Sequence, residues 1–394
     1  MDRTHSGCEI GAEGVSFARI PLHLIFEEPV TVRDSYGGIA GIVALQAHHL
    51  KPQTPSDTLV IFMHPMGIMH YLPMPIGLAM AGVHCLSAVS RYPNNDSALI
   101  LEKVCADLGH WVRYARNKLG YKRIVLGGWS GGGSLSLFYQ SQAVRPRITH
   151  TPAGDPVDLS GLIPADGMLL LAAHVSRSGT LTEWLDPSIT IETDPDARDP
   201  AWNLYARPAP ASAPFPADWL AEFRERQRAR NRRITAWAQA RLVHLKATVG
   251  PHAEQAFIVH GTMTDPRWLD PTIDPNDRVP GTCYLGDPQL INDSPGGLGR
   301  YSTLRSWLSQ WGLDTSNADG PACAADCHVP TLVIGNSADD ACTPSHTHRL
   351  HDAVVAQDRT LVTITGATHY YARQPEHLKQ AVSTVQGWLQ ARGM

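Results

Sequence analysis

The spacing of hydrophobic residues along the chain alternates between two patterns. Short apolar runs, such as TLVIFM from Thr58 and RIVLGGW from Arg123, are followed by stretches whose apolar residues recur every three to four positions. The clearest helical stretch covers residues 96–119, with Asn95 or Asp96 as its expected N-cap. Apolar strands that alternate with helices predict an α/β fold, with a mostly parallel central sheet and helices on both faces.

Three regions follow from the same pattern. Residues 15–48 alternate as strands do, with DSYGG as the turn between them, and after residue 330 strands and helices alternate to the C-terminus. The segment 176–329 differs, because it is rich in proline and aspartate and holds seven of the ten tryptophans. A structureless loop of that length is uncommon. We therefore expect a core domain of residues 1–175 and 330–394 and a mainly helical cap of residues 176–329.

Composition and charge narrow the choice of partners. A net charge of −4 gives no reason to expect nucleic acid, and no stretch approaches the roughly 20 apolar residues of a membrane span. The polar first residues lack the apolar run of a secretory signal, and seven cysteines favour reduced thiols over a disulfide framework. These features indicate a cytoplasmic protein whose partner is a small molecule. They leave a homo-oligomer open.

Glycines surround a single serine, Ser130, where an apolar strand pattern turns into a helical one. The segment lacks the lysine of a phosphate loop and the glycine spacing of a dinucleotide loop, so we expect no cofactor. It does match Gly-x-Ser-x-Gly over residues 128–132. In such an elbow a strained backbone lifts the serine hydroxyl above the sheet, and the next amide, that of Gly131, can donate to an oxyanion.

This strand–elbow–helix pattern resembles the α/β-hydrolase family, whose catalytic triad runs along the chain as nucleophile, acid and histidine. The resemblance implies Ser130 as the nucleophile. It implies His369, in GATHYY after the strand RTLVTIT, as the general base. For the acid it favours Asp340, four residues before Pro344, with Asp339 as the alternative because the loop before the acid is one residue longer than usual.

The segment FMHPMG resembles the oxyanion segment of the same family, with Pro65 where that family commonly has glycine. The resemblance implies that the amide of Met66 is the second oxyanion donor, beside Gly131, and that residues 176–329 form the cap. The sequence assigns no metal ligands. Aromatic side chains often line ligand pockets. The candidate substrate contacts are the histidines and tryptophans of the motifs and the cap: His64, Trp129, His174, Trp268 and Trp307.

Three functions remain open on this reading. The first is a serine hydrolase that cleaves a carboxylic ester or lactone of a bulky, largely apolar small molecule through an acyl-enzyme. The second is an acyltransferase, or a hydrolase of C–C or thioester bonds, with the same triad. The third is a non-catalytic ligand-binding protein on the same fold.

Overall fold

A computed structural model describes residues 8–10, 16–29, 32 and 41–394. The strands are β1 (Cys8–Ile10), β2 (Ser16–Glu27), β3 (Ile42–Pro52), β4 (Thr58–His64), β5 (Cys85–Val89), β6 (Arg123–Ser130), β7 (Gly167–Ala173), β8 (Ile189–Ile191), β9 (Asp194–Arg198), β10 (Ala256–Ile258), β11 (Tyr301–Thr303), β12 (Thr331–Asn336) and β13 (Arg359–Ile364). The helices are α1 (Pro73–Met80), α2 (Leu101–Asn117), α3 (Gly131–Val144), α4 (Arg177–Trp184), α5 (Ala217–Thr248), α6 (Pro288–Ile291), α7 (Leu304–Ser306), α8 (Gly320–Ala324), α9 (Pro344–Ala353) and α10 (Pro375–Gln390). Short 3₁₀ turns cover Met69–Tyr71 and Pro266–Trp268, and a π-helical turn covers Trp307–Trp311.

Nine strands form one mixed sheet in the order β1-β2-β3-β5-β4-β6-β7-β12-β13. All pairs from β5 to β13 are parallel, whereas β1, β2 and β3 add an antiparallel edge. Every residue of β5, β7 and β12 is buried, as expected of apolar strands covered on both faces. The predicted α/β fold is thus confirmed. The predicted turn DSYGG lies outside the described residues.

Two hydrophobic cores cover the two faces of this sheet. On one face α2, α3 and α9 pack through residues such as Trp111, Phe138 and Leu350. On the other face α1 and α10 pack through residues such as Leu78 and Val385. Helices therefore lie on both faces, as the hydrophobic pattern predicts.

The start of α2 differs from the expected one. The helix begins at Leu101 rather than at residue 96, and neither Asn95 nor Asp96 caps it. Instead the carboxylate of Asp96 accepts a hydrogen bond from Arg177 at 2.5 Å, and the amide of Leu101 donates to Ser309 Oγ at 2.8 Å. Arg177 and Ser309 belong to the segment 176–329. Long-range contacts therefore replace the local cap, and a local pattern cannot reveal them.

The segment 176–329, called the insertion below, contributes no strand to the nine-stranded sheet. Its strands form two separate pairs, β8–β9 and β10–β11. Helices α4 and α5 and the turn Trp307–Trp311 enclose a hydrophobic core of their own.

Acidic side chains of the same chain balance the arginine charges of α5. Buried Arg230, for example, pairs with Glu192 at 2.7 Å and donates to three backbone carbonyls. None of the helices in the described part of the chain combines the length and apolar character that a membrane crossing needs.

Candidate active site

Ser130 lies at the junction that the sequence predicts, as the last residue of β6 directly before α3. Its backbone has φ 52° and ψ −123°, and residues with a side chain rarely adopt a positive φ. Such strain persists only where the surroundings enforce it, and it occurs preferentially at functional sites. The strained turn places Ser130 on the wall of a cavity at the carboxyl edge of the sheet.

Close backbone packing explains the glycines around this serine. A Cβ atom on Gly128 would lie 2.6 Å from the Cα atom of Gly133, and one on Gly132 would lie 2.6 Å from the carbonyl oxygen of Met63. Neither backbone neighbour can move aside as a flexible side chain could. The glycines are therefore required by the tight strand-to-helix turn that presents Ser130.

His369 forms a buried hydrogen bond with a carboxylate at the same edge of the sheet. Its Nδ1 lies 2.7 Å from Oδ2 of Asp339, and the two side chains are 4% and 0% exposed. A carboxylate accepts, so Nδ1–H donates and Nε2 remains available as a base. Burial lowers the pKa of His369, but the carboxylates of Asp339 and Asp340 outweigh it, and the net pKa is raised.

The carboxylate beside His369 is that of Asp339, whereas the sequence favours Asp340. A turn after β12 aims Asp339 inward, and its Oδ1 accepts from the amides of Ala341 and Cys342, each at 2.8 Å. Burial and the adjacent Asp339 raise the pKa of Asp340 to about 7, which makes it a poor permanent anion. The geometry therefore favours Asp339, the alternative acid of the sequence analysis, over Asp340.

A metal fits this corner poorly. Asp339, Cys342 and His369 bring three possible ligand atoms within 4.8 Å of one another. However, both Asp339 oxygens already accept hydrogen bonds, and burial holds the pKa of the Cys342 thiol well above its usual range. Metal binding needs a thiolate. The donor set therefore matches a hydrogen-bonded acid–histidine pair better than a metal site.

The two expected oxyanion donors differ in where their amides point. Gly131 is the first residue of α3, so its amide has no partner within the helix. The Met66 amide instead donates to Nδ1 of His64 at 3.3 Å, and the Gly67 amide donates to the same atom at 2.9 Å. The Pro65 carbonyl is held by Ser90 Oγ at 2.6 Å. The loop thus directs the Met66 amide toward an imidazole rather than toward a substrate.

One cavity of about 430 Å³ brings the candidate residues together. Ser130, Gly131, Met66 and His369 line it, and so do His64 and His174, two of the candidate substrate contacts. A larger depression of about 590 Å³ lies elsewhere and is lined by none of these residues. The smaller cavity is therefore the candidate site, because the candidate residues meet there and not in the larger depression.

Solved structures resemble the chain over most of its length. DcsB in complex with a substrate analogue aligns with a TM-score of 0.50 at 10% identity, over 94% of this chain and 99% of that one. A monoacylglycerol lipase from Paleococcus ferrophilus (TM-score 0.44, 14% identity, 88% and 98% coverage) and the peroxisomal alpha-beta-hydrolase Lpx1 from Saccharomyces cerevisiae (0.44, 11%, 95% and 90%) also align. The chain has the α/β-hydrolase fold. Neither a protein-family model nor a curated protein sequence matches it.

Three of the five residues that the sequence analysis proposes as substrate contacts do not line the cavity of this α/β-hydrolase fold. Trp129 is 2% exposed and packs between the rings of His369 and Tyr371. Trp268 is 1% exposed, and its indole N–H donates to the backbone carbonyl of Asp340 at 2.8 Å. Trp307 is fully buried in the core of the insertion. These tryptophans pack the protein, so they give no support to an apolar substrate pocket.

The cavity wall contains polar groups that sequence reasoning missed. Arg177 pairs with Asp96 at 2.5 Å, and its Nε donates to Gln310 at 2.9 Å. Arg177 and Asp96 both line the cavity, together with Trp184 and Tyr284. Arg177 follows His174 closely after β7, at the rim where sites form in such sheets. That position was the available signal, whereas Asp96 comes from a distant loop.

Trp307→Ala is expected to cost about 3–5 kcal/mol of unfolding free energy, because a large buried side chain and its N–H bond to Thr235 Oγ1 at 2.9 Å are lost. Urea unfolding measures this cost. Trp237→Ala is the matched control, since Trp237 is 43% exposed, and it should cost far less. A raised KM for an ester substrate without any loss of stability in Trp307→Ala would restore the pocket-lining interpretation.

Proposed function

We propose that the protein is a serine hydrolase that cleaves a carboxylic ester or lactone through an acyl-enzyme on Ser130. One observation carries the proposal: His369, which is hydrogen-bonded to buried Asp339, lines the same cavity as a serine held in a strained elbow. A buried base oriented by a carboxylate beside a strained nucleophile is the arrangement that acyl transfer needs.

Each group has a distinct part in this mechanism. His369 Nε2 takes the proton of Ser130 as the serine oxygen attacks the acyl carbon, and later returns it to the leaving alcohol. Asp339 keeps the proton of His369 on Nδ1 and stabilises the imidazolium. The amide of Gly131 donates to the tetrahedral oxyanion. Water, activated by the same histidine, then releases the acid.

We propose a small substrate that carries polar groups, and this revises the bulky, apolar molecule that the tryptophan content suggested. The cavity of about 430 Å³ suits a ligand of modest size. Its wall combines aromatic surface at Trp184 and Tyr284 with the Arg177–Asp96 pair. We further propose that the insertion is the cap of the site, because Arg177, Trp184 and Tyr284 all belong to it.

Labelling with a fluorophosphonate–rhodamine probe tests the proposal. Phosphonylation of the purified protein, mapped by mass spectrometry to the peptide that contains Ser130, is the expected result. A panel of short p-nitrophenyl esters and lactones then measures hydrolysis, and acyl-CoA thioesters offered with alcohol acceptors test the transferase and thioesterase alternatives. A protein that neither reacts with the probe nor cleaves any ester would instead be a ligand-binding protein.

The pH dependence of kcat/KM should follow the deprotonation of His369. A general base must be neutral, and the pKa of His369 is raised above 6.5, so activity should fall as the pH decreases through an apparent pKa above that value. Asp340→Asn removes one of the carboxylates that raise this pKa, so its profile should move toward lower pH. A profile that is flat between about pH 6 and 9 would contradict a histidine base.

A further inference from the structure

The imidazole of His64 lies beside the candidate nucleophile, and the triad of Ser130, His369 and Asp339 gives it no role. His64 is the last residue of β4, and its ring reaches the start of α3, because a Cβ atom added to Gly131 would lie 2.9 Å from Nε2 of His64. Gly131 follows Ser130 directly, and all three residues line the same cavity. Nε2 of His64 thus lies beside the backbone that is expected to hold the oxyanion.

Hydrogen bonds at the other ring nitrogen determine where the proton sits. Nδ1 accepts from the amides of Gly67 at 2.9 Å and Met66 at 3.3 Å. Amides donate, so Nδ1 carries no proton, and in the neutral ring the proton is then on Nε2. Burial, with Arg177 and His369 nearby, lowers the pKa of His64 to about 3. The ring is therefore neutral, with a single N–H at Nε2.

That N–H has no hydrogen-bond partner within the described part of the chain, and the half-buried ring faces the cavity. Polar groups in such places are normally satisfied, by protein, water or ligand. The Met66 amide is directed at Nδ1 of the same ring, so the expected second oxyanion donor is already engaged. An acceptor bound beside Gly131 would meet Nε2–H.

We propose that the Nε2–H group of His64, rather than the Met66 amide, is the second oxyanion donor beside the amide of Gly131. The inference rests on the proposed function and makes His64 a catalytic residue. As Ser130 Oγ bonds to the acyl carbon, the carbonyl π electrons move to the oxygen and the serine proton passes to His369. His64 keeps its proton and contributes a hydrogen bond only.

The two amides that donate to Nδ1 favour His64 as an oxyanion donor. They hold the ring in place, and by withdrawing electron density through Nδ1 they strengthen Nε2–H as a donor. A neutral imidazole can stabilise a developing oxyanion without transferring a proton to it. The Met66 and Gly67 amides therefore act on the oxyanion through the ring instead of by direct contact.

Two variants of His64 separate the donor from the structural contact. In His64→Asn the side-chain oxygen can still accept from the amides two and three residues ahead, as in an Asx turn, but the Nε2 donor is gone. His64→Gln places an N–H₂ group within reach of the Nε2 position. We expect His64→Asn to lower both kcat for p-nitrophenyl acetate and the rate of fluorophosphonate labelling by about 10²–10³-fold, with KM and Tm little changed. His64→Gln should recover part of that loss.

Each outcome decides the inference. If His64→Asn reacts within about threefold of the wild type, His64 is only a loop anchor and the inference is wrong, while the proposed function stands. If the wild type is neither labelled nor active, the proposed function and the inference fail together. Should the variants fold poorly, a crystal structure of the phosphonylated wild type decides, since the phosphonyl oxygen should lie about 3 Å from Nε2. A separation beyond about 4 Å would overturn the inference.

Discussion

Ser130→Ala should lower kcat for p-nitrophenyl acetate by at least about 10³-fold and abolish fluorophosphonate labelling. The reason is that the covalent step is lost, whereas the oxyanion donors and the base remain and can support only a slow attack by water. Stability should change little, because the serine side chain faces the cavity and the strained backbone is set by its surroundings. Removing the hydroxyl therefore tests the chemistry and not the fold.

Ser136→Ala is the matched control for this variant. Ser136 is a buried serine of the same helix, three residues past Gly133, and it does not line the cavity. Both variants should be compared by far-ultraviolet circular dichroism, Tm and kcat. Substantial esterase activity in Ser130→Ala, with Ser136→Ala unaffected, would mean that another residue is the nucleophile and that the triad is wrongly assigned.

The local parts of the fold follow from the sequence because they depend on short-range spacing. The apolar runs of β4 and β6 and the helix after Ser130 lie where the pattern predicts them, since strands buried on both faces need continuous apolar stretches. The elbow is also local, because the glycines that permit it flank the serine within a few residues.

The remaining features depend on contacts between distant segments. Asp96 is drawn away from the start of α2 by Arg177, 81 residues along the chain, and Trp307 and Trp311 are buried by partners that no local pattern reveals. The direction of the Met66 amide depends on the imidazole of His64 and on the turn that Pro65 begins. Sequence spacing predicts which residues meet at the sheet edge but not which of their atoms face the cavity.

The choice between Asp339 and Asp340 as the triad acid shows the same limit of sequence spacing. Counting residues to the next proline favours Asp340, yet the hydrogen bonds of the turn decide otherwise. The amides of Ala341 and Cys342 hold one oxygen of Asp339, and His369 holds the other. In contrast, the backbone carbonyl of Asp340 is held by Trp268 of the insertion. The contact that fixes this loop comes from a segment 72 residues away in sequence.

Asp339→Asn should lower kcat by roughly 10³–10⁴-fold at pH 8, because a neutral side chain cannot stabilise the imidazolium of His369. If the asparagine oxygen keeps the amides of Ala341 and Cys342, its NH₂ group faces Nδ1 and favours the tautomer with the proton on Nε2. Asp340→Asn should change kcat far less. The pKa of Asp340 is raised to about 7, so its carboxyl is already partly protonated near neutral pH, and asparagine has the shape of that protonated form.

The two variants carry the same substitution at adjacent positions, so each is the control for the other. Single-turnover measurements with p-nitrophenyl acetate, together with Tm values, separate lost chemistry from lost folding. The apparent pKa of His369 should also fall in Asp339→Asn, since the carboxylate that raises this pKa most is gone. The reverse ranking, with Asp340→Asn the slower variant, would mean that the loop rearranges in the working enzyme and that Asp340 orients the histidine.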